Sequence, residues 1–238
     1  MSEANPAPRE RPERAGFAPR ASALHSSRPL HVAAAILAGG QASRYGGVPK
    51  GLLEIAPGVS IVARLLGELR AAGLSEIVLA ANAPEPYLPL GLALVPDLHP
   101  DLGPLGGIEA ALSHYGPTGD ATLFLPCDLP GITCGEIVRL REAYGASGGP
   151  LAVCVTDGDA LQPLCAVVSN ELLPPVRAAL EAGELSVGRL WRRLGAVQVP
   201  YADPAPFFNV NCPEDLAQWL ARRQPHGICY AACTAGDA

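Results

Sequence analysis

The stretch Leu37-Ala38-Gly39-Gly40-Gln41-Ala42-Ser43-Arg44-Tyr45-Gly46-Gly47-Val48-Pro49-Lys50 follows an apolar run, His31 to Leu37, and carries two spaced cations. A short apolar run bounded by glycines reads as a buried strand. Glycine has no Cβ, so the main chain at Gly39 and Gly40 can approach a polyphosphate closely and point N–H groups at it. Arg44, a planar fork, and Lys50, a point charge, are suited to neutralising charge on transferring phosphates. The alternative is a solvated glycine-rich surface loop, and the order of strand, glycines, Arg and Lys argues against it. No G-x-G-x-x-G is present, and no Lys-Ser/Thr follows Gly46, so neither a dinucleotide fingerprint nor a Walker loop is indicated.

Outward from this stretch, apolar runs alternate with helical periods, the signature of βα units around a mostly parallel sheet. Helix one is expected from Ser60 as N-cap to Gly73, with Ile61, Leu65 and Leu69 on one face. Strands are expected at 76–81, 92–95, 121–126, 151–155, 164–168 and 197–201, and helices near 107–115, 133–144, 171–182, 187–194 and 213–223. Thr133 with Glu136 forms a capping-box pattern, and Pro213 with Glu214 and Asp215 suits a helix start. The fold class is α/β: three layers, a mostly parallel twisted sheet with helices on both faces.

A hydrophobic share of 49% in 238 residues supplies a real core. Residues 1–29 are rich in Pro, Arg, Ser and Ala without apolar period, and read as a disordered arm; 30–223 form the domain, and 224–238 a loose tail. A net charge of -6, with 17 basic against 23 acidic residues, argues against a nucleic-acid partner. A small anionic substrate needs only a local positive pocket. The longest apolar candidate, Leu30 to Ala38, is too short to span a bilayer, and the acidic residues before it are unlike a signal peptide. The expectation is a cytoplasmic protein without membrane contact, monomeric or weakly oligomeric. Seven cysteines without a C-x-x-C pair indicate reduced thiols rather than a disulfide framework or zinc ribbon, and the five histidines form no metal-ligand spacing.

The glycine-rich stretch resembles the signature loop of the molybdenum cofactor guanylyltransferases, within the wider Rossmann-like nucleotidyltransferase fold. The likeness covers roughly residues 32–222 and includes Asn82, Asp97, Gly103-Pro104-Leu105-Gly106-Gly107, Pro126-Cys127-Asp128-Leu129-Pro130 and Asn209-Val210-Asn211-Cys212-Pro213-Glu214-Asp215-Leu216. It implies that Leu37, Ala38, Gly39, Gly40, Lys50, Asn82, Asp97 and Asp128 contact the nucleotide. It also implies that Arg44, Lys50 and Asp128 are catalytic, and that Asp128 holds Mg²⁺ at the carboxyl end of a central strand. Taken alone, Asp128 before Leu-Pro reads as a turn former, and Asn82 and Asp97 equally as turn residues.

The loop at Gly106, Gln162 after Asp157-Gly158-Asp159, and Asn209 with Asn211 resemble the family's pterin border; a local backbone-capping role for the two Asn residues stays open. The implied substrates are GTP and molybdopterin, with room for contact with a recipient molybdoenzyme or chaperone. Leu-Ala-Gly-Gly and Pro-Cys-Asp-Leu-Pro favour guanine over cytosine. Alternatives are a cytidylyltransferase for the same pterin, a sugar- or alditol-phosphate nucleotidyltransferase, and a non-catalytic nucleotide-binding carrier. Two positions depart from the family pattern: Cys212 stands where Thr is usual, and Pro49 replaces an acidic residue.

Overall fold

Strand β1 (Val32–Leu37) is buried almost throughout, as its apolar run requires, because it lies inside the sheet and is covered on both faces. In the computed structural model, which describes residues 30–39, 48–99, 101–116, 118–156 and 160–223, it pairs in parallel with β4 (Ile77–Ala80) on one side and β6 (Ala121–Pro126) on the other. With β5 (Ala93–Val95), β7 (Leu151–Thr156), β8 (Ala160–Ser169) and β9 (Val197–Pro200), the seven-stranded order is β5-β4-β1-β6-β8-β7-β9. Only β8 runs against the others, antiparallel to both β6 and β7. A separate hairpin, β2 (Glu54–Ala56) with β3 (Val59–Ser60), leads into the first helix.

Alternate residues of β1 feed two cores, as a period of two demands. Ala34 and Ile36 face the layer of α1 (Ile61–Ala71), α3 (Cys134–Ser147) and α6 (Pro213–Arg223); Ala33, Ala35 and Leu37 face α2 (Pro104–Tyr115), α4 (Leu173–Glu181) and α5 (Val187–Arg193). Ser60 caps α1, its hydroxyl accepting from the Ala63 N–H at 3.2 Å, and Thr133 with Glu136 completes a capping box on α3.

Three expectations need correction. The Gly-Pro-Leu-Gly-Gly segment is not all loop: α2 already begins at Pro104, where a proline at the first position loses no helical hydrogen bond, and Gly103 precedes it at φ 63°, ψ -157°. Gln162 and Pro163 lie within β8, which starts four residues before the expected strand and pairs with β7 across a register shift. The hairpin at 54–60 and the 3-10 turns Lys50–Leu52 and Glu85–Leu90 come in addition to the expected elements.

Candidate active site

The chain leaves β1, builds β4 and β5 on one side of it, then returns to place β6 on the other, so the carboxyl ends of β1 and β6 flank a topological switch point. A cleft of about 510 Å³ opens there. Leu37, Ala38 and Gly39 line it from the end of β1, Asn82 from beyond β4, Asp97 from beyond β5, Asp128 from beyond β6, and Lys50 from the turn that follows the glycine-rich stretch. Asn82, Asp97 and Asp128 are delivered by the same rule: a parallel strand ends, and the next few residues face the crevice.

At the β6 side, the Lys50 ammonium donates to Asn211 Oδ1 at 2.8 Å and lies 3.7 Å from Asp128 Oδ2. Asp128 Oδ1 is buried and has no hydrogen-bond partner among the described residues. Burial raises the Asp128 pKa, and the nearby Lys50 charge offsets part of that rise. The Val210 N–H donates to the Asp128 carbonyl at 2.9 Å, which ties the Asn209–Asn211 segment to the end of β6. An unpartnered carboxylate oxygen on a residue that lines the cleft fits a hard divalent cation. Among the described residues no three His, Cys, Asp or Glu side chains gather to hold a metal, so such an ion would take its other oxygens from bound phosphate and water.

At the β5 side, burial raises the Asp97 pKa, the Asn82 amide beside it favours the charged form, and Glu109 adds to the rise. The glycine pair opening α2 makes room for this carboxylate: a Cβ on Gly106 would sit 3.2 Å from Asp97 Oδ2, and one on Gly107 3.5 Å from Asp97 Oδ1 and 3.2 Å from Leu37 Cδ2. Gly103 and Pro104 bring the amino end of α2 to the cleft, where the positive end of the helix dipole favours an electronegative ligand.

Seven of the expected site residues therefore share one cleft. Gly106 stands against Asp97, and Asn211 joins through Lys50, while Asn209 is exposed and Gln162 donates to Thr156 Oγ1 at 3.2 Å. Gly40, Arg44 and the Asp157-Gly158-Asp159 segment lie outside the described residues. Three cleft residues were not among the expected site residues or their motifs: Ala80, Tyr87 and Leu164. Burial, with Asp128 beside it, pushes the Cys127 thiol up to about 12, so it stays protonated and unreactive at neutral pH.

The MobA-like NTP transferase domain family matches residues 34–198 of the chain. The chain belongs to that family. A molybdenum cofactor guanylyltransferase of Photobacterium profundum is 34% identical over 185 residues, covering 77% of this chain and 93% of the relative. Among solved structures, a molybdopterin-guanine dinucleotide biosynthesis protein A from Archaeoglobus fulgidus superposes with a TM-score of 0.66 at 21% identity, covering 81% of this chain and 98% of its own. A Mycobacterium tuberculosis protein solved in complex with manganese shares the fold at a TM-score of 0.59 and 16% identity, covering 80% of this chain and 98% of its own. The chain is thus a nucleotidyltransferase. Among the described residues no helix is long and apolar enough to cross a membrane.

Proposed function

We propose that this transferase moves GMP from Mg²⁺-GTP to the phosphate of molybdenum-bearing molybdopterin. A phosphate oxygen of the pterin forms a bond to the α-phosphorus of GTP, the bond from that phosphorus to the α,β-bridging oxygen breaks, and pyrophosphate leaves with the electron pair. The observation that carries the reading is the meeting of Lys50, the unpartnered oxygen of Asp128 and the Asn82–Asp97 pair around one cleft.

The acceptor is already an anion, so little base catalysis is required. The protein's task is to bring two like-charged groups into line and to stabilise the charge between them. Lys50, held between Asn211 and Asp128, turns its ammonium to the triphosphate; Arg44 and the amides of Gly39 and Gly40 supply further donors, the Ala38 N–H being taken by the Ala80 carbonyl. Magnesium, when bound by Asp128, neutralises phosphate charge and orients the oxygens. Asp97, which when ionised accepts through both oxygens and donates through neither, suits the N1–H and exocyclic amine of guanine, and Asn82 supplies an amide beside it. Gln162, Asn209 and Asn211 are assigned to the pterin side, and Gly106, which stands against Asp97, to the border between the two halves. The setting is cytoplasmic, with any partner molybdoenzyme meeting the pterin end.

The test is pyrophosphate release from GTP in the presence of the molybdenum-loaded pterin. Wild-type protein turns over, and Asp128→Asn lowers kcat by about a hundredfold or more. Unchanged turnover in that variant would remove Asp128 from the chemistry. Tight GTP binding by the wild type without any pyrophosphate release would favour a carrier instead.

A further inference from the structure

Tyr87 stands on the 3-10 turn Glu85–Leu90, five residues beyond Asn82, and lines the nucleotide cleft from below. Its side chain is among the largest that are fully buried, yet its hydroxyl has no hydrogen-bond partner among the described residues. A buried hydroxyl without a partner is costly, and a phenylalanine would pack the same ring without that cost. The ring is accounted for by the core that contains Val62, Leu125 and Cys127. The oxygen is not.

What the oxygen touches is the turn that carries Lys50. A Cβ built on Gly51 would lie 3.2 Å from the Tyr87 hydroxyl, 2.5 Å from Val62 Cγ2 and 3.3 Å from Cys127 Cβ. The Gly51 backbone is therefore seated flat on a floor formed by these three side chains, and only glycine allows it to sit so low. One peptide away, Lys50 extends to Asn211 and Asp128. Burial raises the phenol's pKa and the Gly51 backbone beside it offsets a small part of that rise, so the group keeps its proton and is not an acid or base.

We propose that Tyr87 is a positioning residue for phosphate binding: its hydroxyl sets the height of the Lys50–Leu52 turn, and it takes the Gly51 backbone as its partner when the triphosphate draws Lys50 into place. The inference rests on the guanylyltransferase reading only in that Lys50 must face the triphosphate. It identifies no new ligand. It assigns a use to a hydroxyl that lies beside the Gly51 backbone without a well-formed hydrogen bond.

A double-mutant cycle on the full chain separates this role from a general structural one. Mg²⁺-GTP affinity is measured by calorimetry for wild type, Tyr87→Phe, Lys50→Met and the double variant, alongside thermal unfolding. Tyr87→Phe weakens binding about five- to tenfold without lowering the melting temperature, and costs less than about twofold once Lys50 is already Met. Wild-type affinity in Tyr87→Phe, or an equal loss in both backgrounds, would overturn the proposal. Amide exchange at Gly51 gives a second readout that does not depend on the Lys50 variant. Mg²⁺-GTP slows it in the wild type and not in Tyr87→Phe; slowing that survives the substitution contradicts the inference. If the wild type binds CTP in place of GTP, the guanine assignment fails, and the same cycle run with CTP still tests Tyr87.

Discussion

Lys50 holds its ammonium between an amide oxygen and a carboxylate, and the residue after it is a glycine whose missing side chain decides how deep the turn can lie. Gly51→Ala would place a methyl 2.5 Å from Val62 Cγ2, closer than side chains tolerate. We expect a loss of about 1–3 kcal/mol of stability in chemical denaturation from overpacking, with GTP affinity falling further than that loss explains because Lys50 is lifted with the turn. Unchanged GTP affinity would detach Lys50 from the geometry of the turn. Asp97 gives a pH prediction. Its folded-state pKa is raised, first by burial, so it gains its charge at a higher pH than an ordinary carboxyl group. A raised carboxyl pKa means the folded state holds the proton more tightly than the unfolded one, so this group's contribution to stability is lost as pH rises from the unfolded to the folded value. GTP binding that needs the carboxylate runs the opposite way and weakens as pH falls through the same window. Asp97→Asn should flatten that binding profile and weaken GTP at neutral pH, while leaving stability there unchanged or slightly higher.

Among the elements, those with local signals were legible from sequence alone. The Ser60 cap, the Thr133–Glu136 capping box and the Pro213 start all fall where expected because each depends on residues within one turn. The reversed direction of β8 was not legible, because strand direction is set by pairing across the sheet and not by the strand's own composition. Asn82, Asp97 and Asp128 are reached through the family resemblance, since each taken alone reads as a turn residue, whereas Gly51 and Tyr87 are not reached, since they meet only through tertiary contact 36 residues apart in the chain. The start of α6 carries a further prediction. Asp215 accepts from the Cys212 N–H at 3.0 Å and the Asn211 N–H at 2.8 Å, which is half of a capping box, and the Cys212 thiol is a weak acceptor for the other half. Cys212→Thr should complete the box and raise stability by about 0.5–1 kcal/mol in denaturant titration, with GTP affinity unchanged. A destabilised variant would mean that the thiol packs in a way a threonine cannot.

At the scale of the molecule, two cores on opposite faces of one sheet fix the ends of β1 and β6 to either side of the cleft, so the site inherits the rigidity of the sheet. Among the described residues, both cores and the cleft are built from the span 30–223. A fragment of that span should unfold in one cooperative transition and bind GTP within about twofold of the full chain; a larger loss would assign a binding role to one of the terminal segments. The account as a whole turns on which nucleotide the cleft takes. Calorimetric titration of the intact protein with GTP and with CTP, each with and without Mg²⁺, addresses this most directly. The prediction is magnesium-dependent binding of GTP well ahead of CTP; preference for CTP, or binding of neither, would contradict the guanylyltransferase assignment.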